Sequence, residues 1–321
     1  MTLHEFSGHR KQTRMYVFYS FLFLASLSRI AARAEWCYQS QVTCEHKCEG
    51  PSEWPKIVSA CGGNKQSPIN IVTKKVKMEG SLPAFKFQGY KETFHSFITN
   101  NGHTVKVNLS GAAQINGGSL GSTYKAMEIH FHWGKNGEHG SEHTIDGEQY
   151  PMEMHLVHIK STYSSVEEAV KDPSGVAVFG FLYEEAESSN QKYDPIINAL
   201  VNIPFPDNRT SLQSLSLDSL IPDQTMLSSY FRYEGSLTTP DCAESVIWTV
   251  FEQTIPLSRN QLSTFSTLQF DNETAMVGTF RPVQPLNSRE VFYSGCTVVS
   301  VNAGLVVGTI FTTFFTLNTI K

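Results

Sequence analysis

His130 and His132 flank Phe131 in His130-Phe131-His132-Trp133-Gly134, and His155 follows within Met152-Glu153-Met154-His155-Leu156-Val157-His158. Side chains one residue apart diverge on a helix but point the same way on a β-strand. Three imidazoles converging from neighbouring strands, with no fourth protein ligand nearby, offer an open tetrahedral site for catalytic Zn2+. The competing reading, a structural zinc site, needs a closing ligand such as cysteine. A metal-bound histidine usually donates its other N–H to an acceptor. Glu153 shares a strand face with His155, and Glu128 stands in the same relation to His130. A lone histidine is more often a satisfied structural residue, and His139, His143 and His158 are read that way. His158 also has the wrong parity to join His155.

The elements that must position these groups read mainly as strands. From Tyr124 to Trp133, Met127, Ile129, Phe131 and Trp133 alternate with Glu128, His130 and His132, an apolar face backed by an ionisable one. From Met152 to Lys160, Glu153, His155 and Val157 face together, with Met154, Leu156 and His158 opposite. Gly175 to Tyr183 is a continuous apolar run, expected to be buried on both faces, and Trp248 to Phe251 is another strand candidate. Asn101-Gly102, between Phe94–Asn100 and Thr104–Leu109, is a strong hairpin signal that puts His103 at a strand end. Helices are short. Ser165 with Glu168 reads as a capping box for a helix ending by Pro173, and Ser258 with Gln261 as another before Leu262 to Leu268. Asp194 reads as an N-cap before Pro195. The fold class is mainly β (α+β): one domain with a large, mostly antiparallel twisted central sheet and short peripheral helices.

The ends read as addresses. His9, Arg10, Lys11 and Arg14 precede an apolar run from Tyr16 to Leu27, and Ala32-Arg33-Ala34 is a cleavage pattern, so 1–34 is a signal peptide. A domain spans 35–294. Residues 295–321 are apolar from Thr297 onward, with Lys321 the one charge there, and small residues Ser294-Gly295-Cys296 stand before them. That reads as a GPI signal attached at Ser294, with a short transmembrane tail as the alternative. Asn108, Asn208 and Asn272 open N-x-S/T sequons, which suits the secretory route. Six cysteines in an oxidising compartment favour disulfides over a Cys37, Cys44 and Cys48 metal site. With 25 basic and 30 acidic residues in 321, no strong field of either sign exists, and nucleic acid is not an expected partner.

At this point the chain resembles the α-class carbonic anhydrases, and among them the membrane-anchored extracellular type IV forms, over about residues 36 to 293. The resemblance rests on QSPINI at Gln66–Ile71, NNGH at Asn100–His103, HFHWG at His130–Gly134, GSEHTIDGE at Gly140–Glu148, MEMHLVH at Met152–His158 and GSLTTPDC at Gly235–Cys242. It implies zinc-dependent interconversion of CO2 and bicarbonate, with zinc hydroxide as the nucleophile. Zinc lowers the pKa of its bound water to about 7, a value for which carbonic anhydrases are themselves the reference case. The resemblance further implies that His130, His132 and His155 are the zinc ligands and His103 the proton shuttle. Thr238 would link the zinc-bound oxygen to Glu142, with Thr239 on the same wall. Val157, Val178, Leu237, Val246 and Trp248 would form the apolar wall for CO2, and Tyr38 would order water. It also suggests disulfides Cys61–Cys242 and Cys37–Cys48, with Cys44 the alternative partner of Cys37.

One position departs from the family. Glutamine normally stands where this chain has Glu128. A carboxylate there raises ligand basicity, so the expected result is an alkaline-shifted rate–pH profile. Glu128→Gln should move its midpoint to lower pH, and an unmoved midpoint would refute the idea. The rival function is a catalytically silent carbonic-anhydrase-like binding domain displayed on the cell surface. The intact ligand, Glu142 and Thr238 positions argue against it.

Overall fold

The computed structural model describes residues 36–43, 48–79, 82–271 and 273–295. The segment 1–34 expected to be a signal peptide, Cys44, Asn272 and the tail from Cys296 onward lie outside the described residues.

A twelve-stranded mixed sheet carries the fold. Its long members are β1 (Phe94–Asn100), β2 (Val105–Asn108), β3 (Tyr124–Trp133), β4 (Met152–Lys160), β5 (Val176–Ala186), β6 (Arg209–Leu215), β7 (Tyr230–Gly235) and β8 (Val246–Ser258). They lie side by side in the order β6-β1-β2-β3-β4-β5-β8-β7, continued by the short strands Phe292–Tyr293 and Lys77–Met78. Neighbours are antiparallel except β5 with β8 and the last short pair. The long excursion between β5 and β8 permits that parallel pairing, since a hairpin could not. The expected mainly-β, mostly antiparallel architecture is what is found.

One sheet face packs on the main core, where Ile98, Val107, Ile129, Phe131, Leu156 and Phe179 are all buried. The other face carries a smaller apolar cluster that includes Val157, Val178, Val246 and Trp248. Strict alternation places Met127 with Ile129, but Met127 packs against the smaller cluster instead. The reason is a bulge: Val157 pairs with Glu128 and His158 with Ala126, leaving Met127 as the extra residue. An inserted residue flips the parity on its far side.

Among the short helices are α1 (Val166–Ala169), α2 (Asp194–Leu200) and α3 (Arg259–Phe265). Ser165 caps α1 through Glu168 N–H, while the Glu168 carboxylate reaches back to Ser164 rather than Ser165. The Ser258–Gln261 capping box opens α3, which stops at Phe265 rather than Leu268. Asp194 is the first residue of α2, not its N-cap, because a 3-10 turn over Gln191–Tyr193, capped by Asn190, runs directly into it. Among the described residues, no helix is long and apolar enough to cross a membrane.

His158 lies on the main-core side. Its Nε2 is 2.6 Å from the Tyr90 hydroxyl and its Nδ1 3.2 Å from the Ala177 carbonyl. Those partners fit a neutral ring that donates from Nδ1 and accepts at Nε2. Burial drives its pKa down to about 3. The unfolded chain therefore binds a proton below its ordinary value that the folded chain refuses. This contribution is fully present above pH about 6.5 and is lost as pH falls toward 3, at up to roughly 1.4 kcal/mol per pH unit. His158→Gln should flatten the acid limb of the stability curve by that slope in denaturant titrations. Parallel curves for the two proteins would refute this assignment.

Candidate active site

Strands β3 and β4 pair so that His155 stands opposite His130 and Glu153 opposite His132. The His155 Nδ1 is 3.2 Å from His130 Nε2 and 3.1 Å from His132 Nε2. Each outer nitrogen has its own acceptor. His130 Nδ1 meets Glu128 at 3.1 Å, His132 Nδ1 meets the Thr279 carbonyl at 2.6 Å, and His155 Nε2 meets Glu153 at 2.8 Å. Donation outward leaves the inner nitrogens as lone pairs pointing at one another. Burial holds His132 well below its ordinary pKa and brings His155 to about 4, so both are neutral imidazoles near pH 7.

Glu153 organises the ligands from behind. Its Oε2 accepts the backbone N–H groups of Glu142 and His143, and its Oε1 receives His143 Nδ1 at 2.7 Å as well as His155. Burial works against this carboxylate, but His143 and His155 outweigh it and hold the pKa well below the usual range. Gly180, opposite His155 on β5, makes room, since a Cβ there would sit 3.0 Å from Glu153 Oε1. The Tyr233 hydroxyl then joins His143 Nε2 at 2.6 Å to Ser67 Oγ at 2.9 Å.

Glu142 is fully buried and lies in front of the ligands. Its Oε1 accepts the Arg281 backbone N–H at 2.8 Å. Its Oε2 has no hydrogen-bond partner and is 3.5 Å from His132 Nε2 and 3.9 Å from His155 Nδ1. Burial raises its pKa well above the carboxylate range, opposed by the Arg281 amide and by Thr238 beside it. The converging imidazole lone pairs are a donor set that a divalent cation fits, and its charge would favour ionised Glu142 close by.

The other predicted residues fall into groups. Thr238 and Leu237 lie on the loop after β7, which Leu237 N–H closes onto Ala243 and Cys242 N–H onto Thr239. Val157, Val178, Val246 and Trp248 are buried together, with Leu237 packed against them. His103 follows β1 in a turn organised by Asn101, whose Oδ1 accepts the His103 and Thr104 N–H groups, with Gly102 at φ +85°. That side chain mimics a backbone turn, and glycine supplies the positive φ. The His103 ring stacks on Trp36 at 3.9 Å, and Tyr38 lies beside Trp36 with its hydroxyl buried. Disulfides join Cys37 to Cys48 and Cys61 to Cys242. Asn108 is exposed and Asn208 half-buried. Ser294 is tied to β7 through its N–H to Tyr230 and its hydroxyl to Ser228.

Several participants were not read from sequence. Lys106 forms an ion pair with Glu128 and stands opposite His130, a position that strand parity on β2 could have suggested. With burial opposing, His130 and Lys106 together pull the Glu128 carboxyl down to about 2. Thr279 and Arg281 come from an irregular segment far along the chain. Arg281 reaches Gln66, Ser67 and Cys61 with its guanidinium, and nothing local marks it.

Comparison with known proteins gives the same direction. The family model for eukaryotic-type carbonic anhydrase matches residues 49–295. "Carbonic anhydrase 4" of Oryctolagus cuniculus is 40% identical over 284 residues, covering 87% of this chain and 91% of the relative. "Carbonic anhydrase 4" of Mus musculus is 41% identical, covering 85% and 90% respectively. "Carbonic anhydrase 15" of Mus musculus is 38% identical over 285 residues, 85% of this chain and 87% of that protein. With three imidazoles converging on a site backed by Glu153 and fronted by Glu142, this chain belongs to the eukaryotic-type carbonic anhydrases.

Proposed function

We propose that the protein hydrates CO2 reversibly to bicarbonate and a proton at the outer face of the cell membrane, with Zn2+ held by His130, His132 and His155. The observation that carries the reading is the meeting of three inner imidazole nitrogens whose outer nitrogens are all engaged by acceptors. When bound there, zinc supplies the Lewis acidity that brings the ionisation of water into the neutral range. The chain's own residues do the rest. Val157, Val178, Val246 and Trp248 give a small apolar substrate a dry wall, where larger side chains would fill the space. Thr238, beside Glu142, fixes the orientation of the attacking oxygen, a positioning effect. Thr239 lines the same loop. His103, half-exposed at its turn, passes the released proton toward buffer, and an imidazole suits that task near neutral pH. Tyr38 borders the path.

The outward location rests on the leader pattern in 1–34, the sequons and the two disulfides, which favour an oxidising compartment. A GPI anchor at Ser294 would place the membrane next to the short strand Phe292–Tyr293, holding the domain close to the surface. Stopped-flow CO2 hydration should be fast in zinc-loaded protein and disappear on chelation. Metal-loaded protein without hydration activity would overturn the catalytic reading. Phosphatidylinositol-specific phospholipase should release the protein from cells; retention after treatment would favour a transmembrane tail.

A further inference from the structure

The sheet face that carries the metal ligands does not end at β3. Lys106 pairs with His130, Thr99 with Lys106, and Arg209 with Thr99, a row running outward across β2, β1 and β6. In the neighbouring row, Asn108 pairs with Glu128, and the β1–β2 register sets Phe97 beside Asn108. The intervening Val107, Ile98 and Ile129 all enter the main core, so these two rows share the ligand face. Direct cross-strand neighbours have Cβ atoms about 5 Å apart and diagonal ones about 7–8 Å. Asn108 is thus a direct neighbour of Glu128 and a diagonal neighbour of His130. Solvent approaches here, because the side chains of His130 and Glu128 are 17% and 18% exposed.

Asn108 is also the first residue of the Asn108-Leu109-Ser110 sequon. It is the last residue of β2, and both Asn108 and Ser110 are exposed. Asn208 differs, being half-buried with its Oδ1 already accepting the Phe205 N–H at 3.1 Å. Phe97 is 51% exposed, with the Arg209 guanidinium over its ring at 5.0 Å, and it offers a sugar an apolar seat beside the sequon.

We propose that an N-linked glycan on Asn108 forms the outer lip of the approach to the metal ligands and filters ligands by size, admitting CO2 and slowing bulky molecules. The proposal rests on the secretory, metal-binding reading above. A branched, hydrophilic oligosaccharide rooted this close occupies solvent that a large ligand must cross, whereas CO2 needs only a narrow gap.

The test uses full-length protein from a glycosylating secretory host, compared with Asn108→Gln, with Ser110→Ala and with enzymatically deglycosylated wild type. Glycopeptide mass spectrometry should show Asn108 occupied. Association is then followed for an aromatic sulfonamide as the zinc-binding probe, free and coupled to dextran. Loss of the glycan by any route should raise the dextran conjugate's association rate by about tenfold and leave the free probe and CO2 hydration unchanged. An unoccupied Asn108, or equal rates for the conjugate with and without glycan, overturns the proposal. Absence of CO2 hydration and of free-probe binding in all samples would instead overturn the catalytic reading.

Discussion

His155→Ala is expected to strip the protein of zinc and of CO2 hydration while leaving it folded. Structural zinc sites bind with roughly 10–16 kcal/mol shared among four ligands, so one ligand is worth about 3 kcal/mol and its loss a hundredfold or more in affinity. The fold should survive because Glu153 keeps three partners: the His143 ring and the backbone N–H groups of Glu142 and His143. Metal content after dialysis against a competing chelator reads the affinity, and stopped-flow hydration reads the activity. His158→Ala is the matched control, because its ring points to the opposite face and contacts Tyr90 and Ala177. Full zinc retention in His155→Ala, or equal zinc loss in both variants, would contradict the assignment.

Removing the Cys61–Cys242 bridge as a double alanine variant should produce the largest loss of stability. The bridge spans a sequence separation of 181, for which the chain-entropy model gives about 5 kcal/mol as an upper figure. Both ends are also held by hydrogen bonds, from Gln66 to the Cys242 carbonyl and from Arg281 to the Cys61 carbonyl. These limit the local collapse that would follow. Cys242 adopts φ +53° and terminates the loop bearing Thr238 and Thr239. The variant should therefore bind zinc normally yet hydrate CO2 more slowly, as Thr238 loses its fixed place beside Glu142. Urea unfolding, zinc content and stopped-flow rates check the three parts. A stability change below about 1 kcal/mol would show that the bridge constrains the unfolded chain far less than its span implies.

Local pattern was enough for much of this protein. Alternation from Tyr124 to Trp133 and from Met152 to Lys160 set two strands and the face of each histidine, because a pleated strand has a side-chain period of two. The Ser165 and Ser258 caps and the Asn101-Gly102 turn were legible for the same reason: their chemistry involves residues only a few positions apart. Tertiary structure decided what depends on distant chain. No period announces that Met127 is a bulge residue, since the insertion exists only relative to the register of β4. Arg281 and Thr279 bond to Glu142 and His132 from an irregular segment, so neither has a spacing to read. Lys106 beside Glu128, and Asn108 beside both, follow from strand register, which pairing between β2 and β3 creates. Residue types and spacing thus pointed to the metal-binding chemistry proposed for this chain. The acceptors that fix its imidazoles, and the face along which a ligand must come, required the folded sheet because they join residues that meet only through long-range pairing.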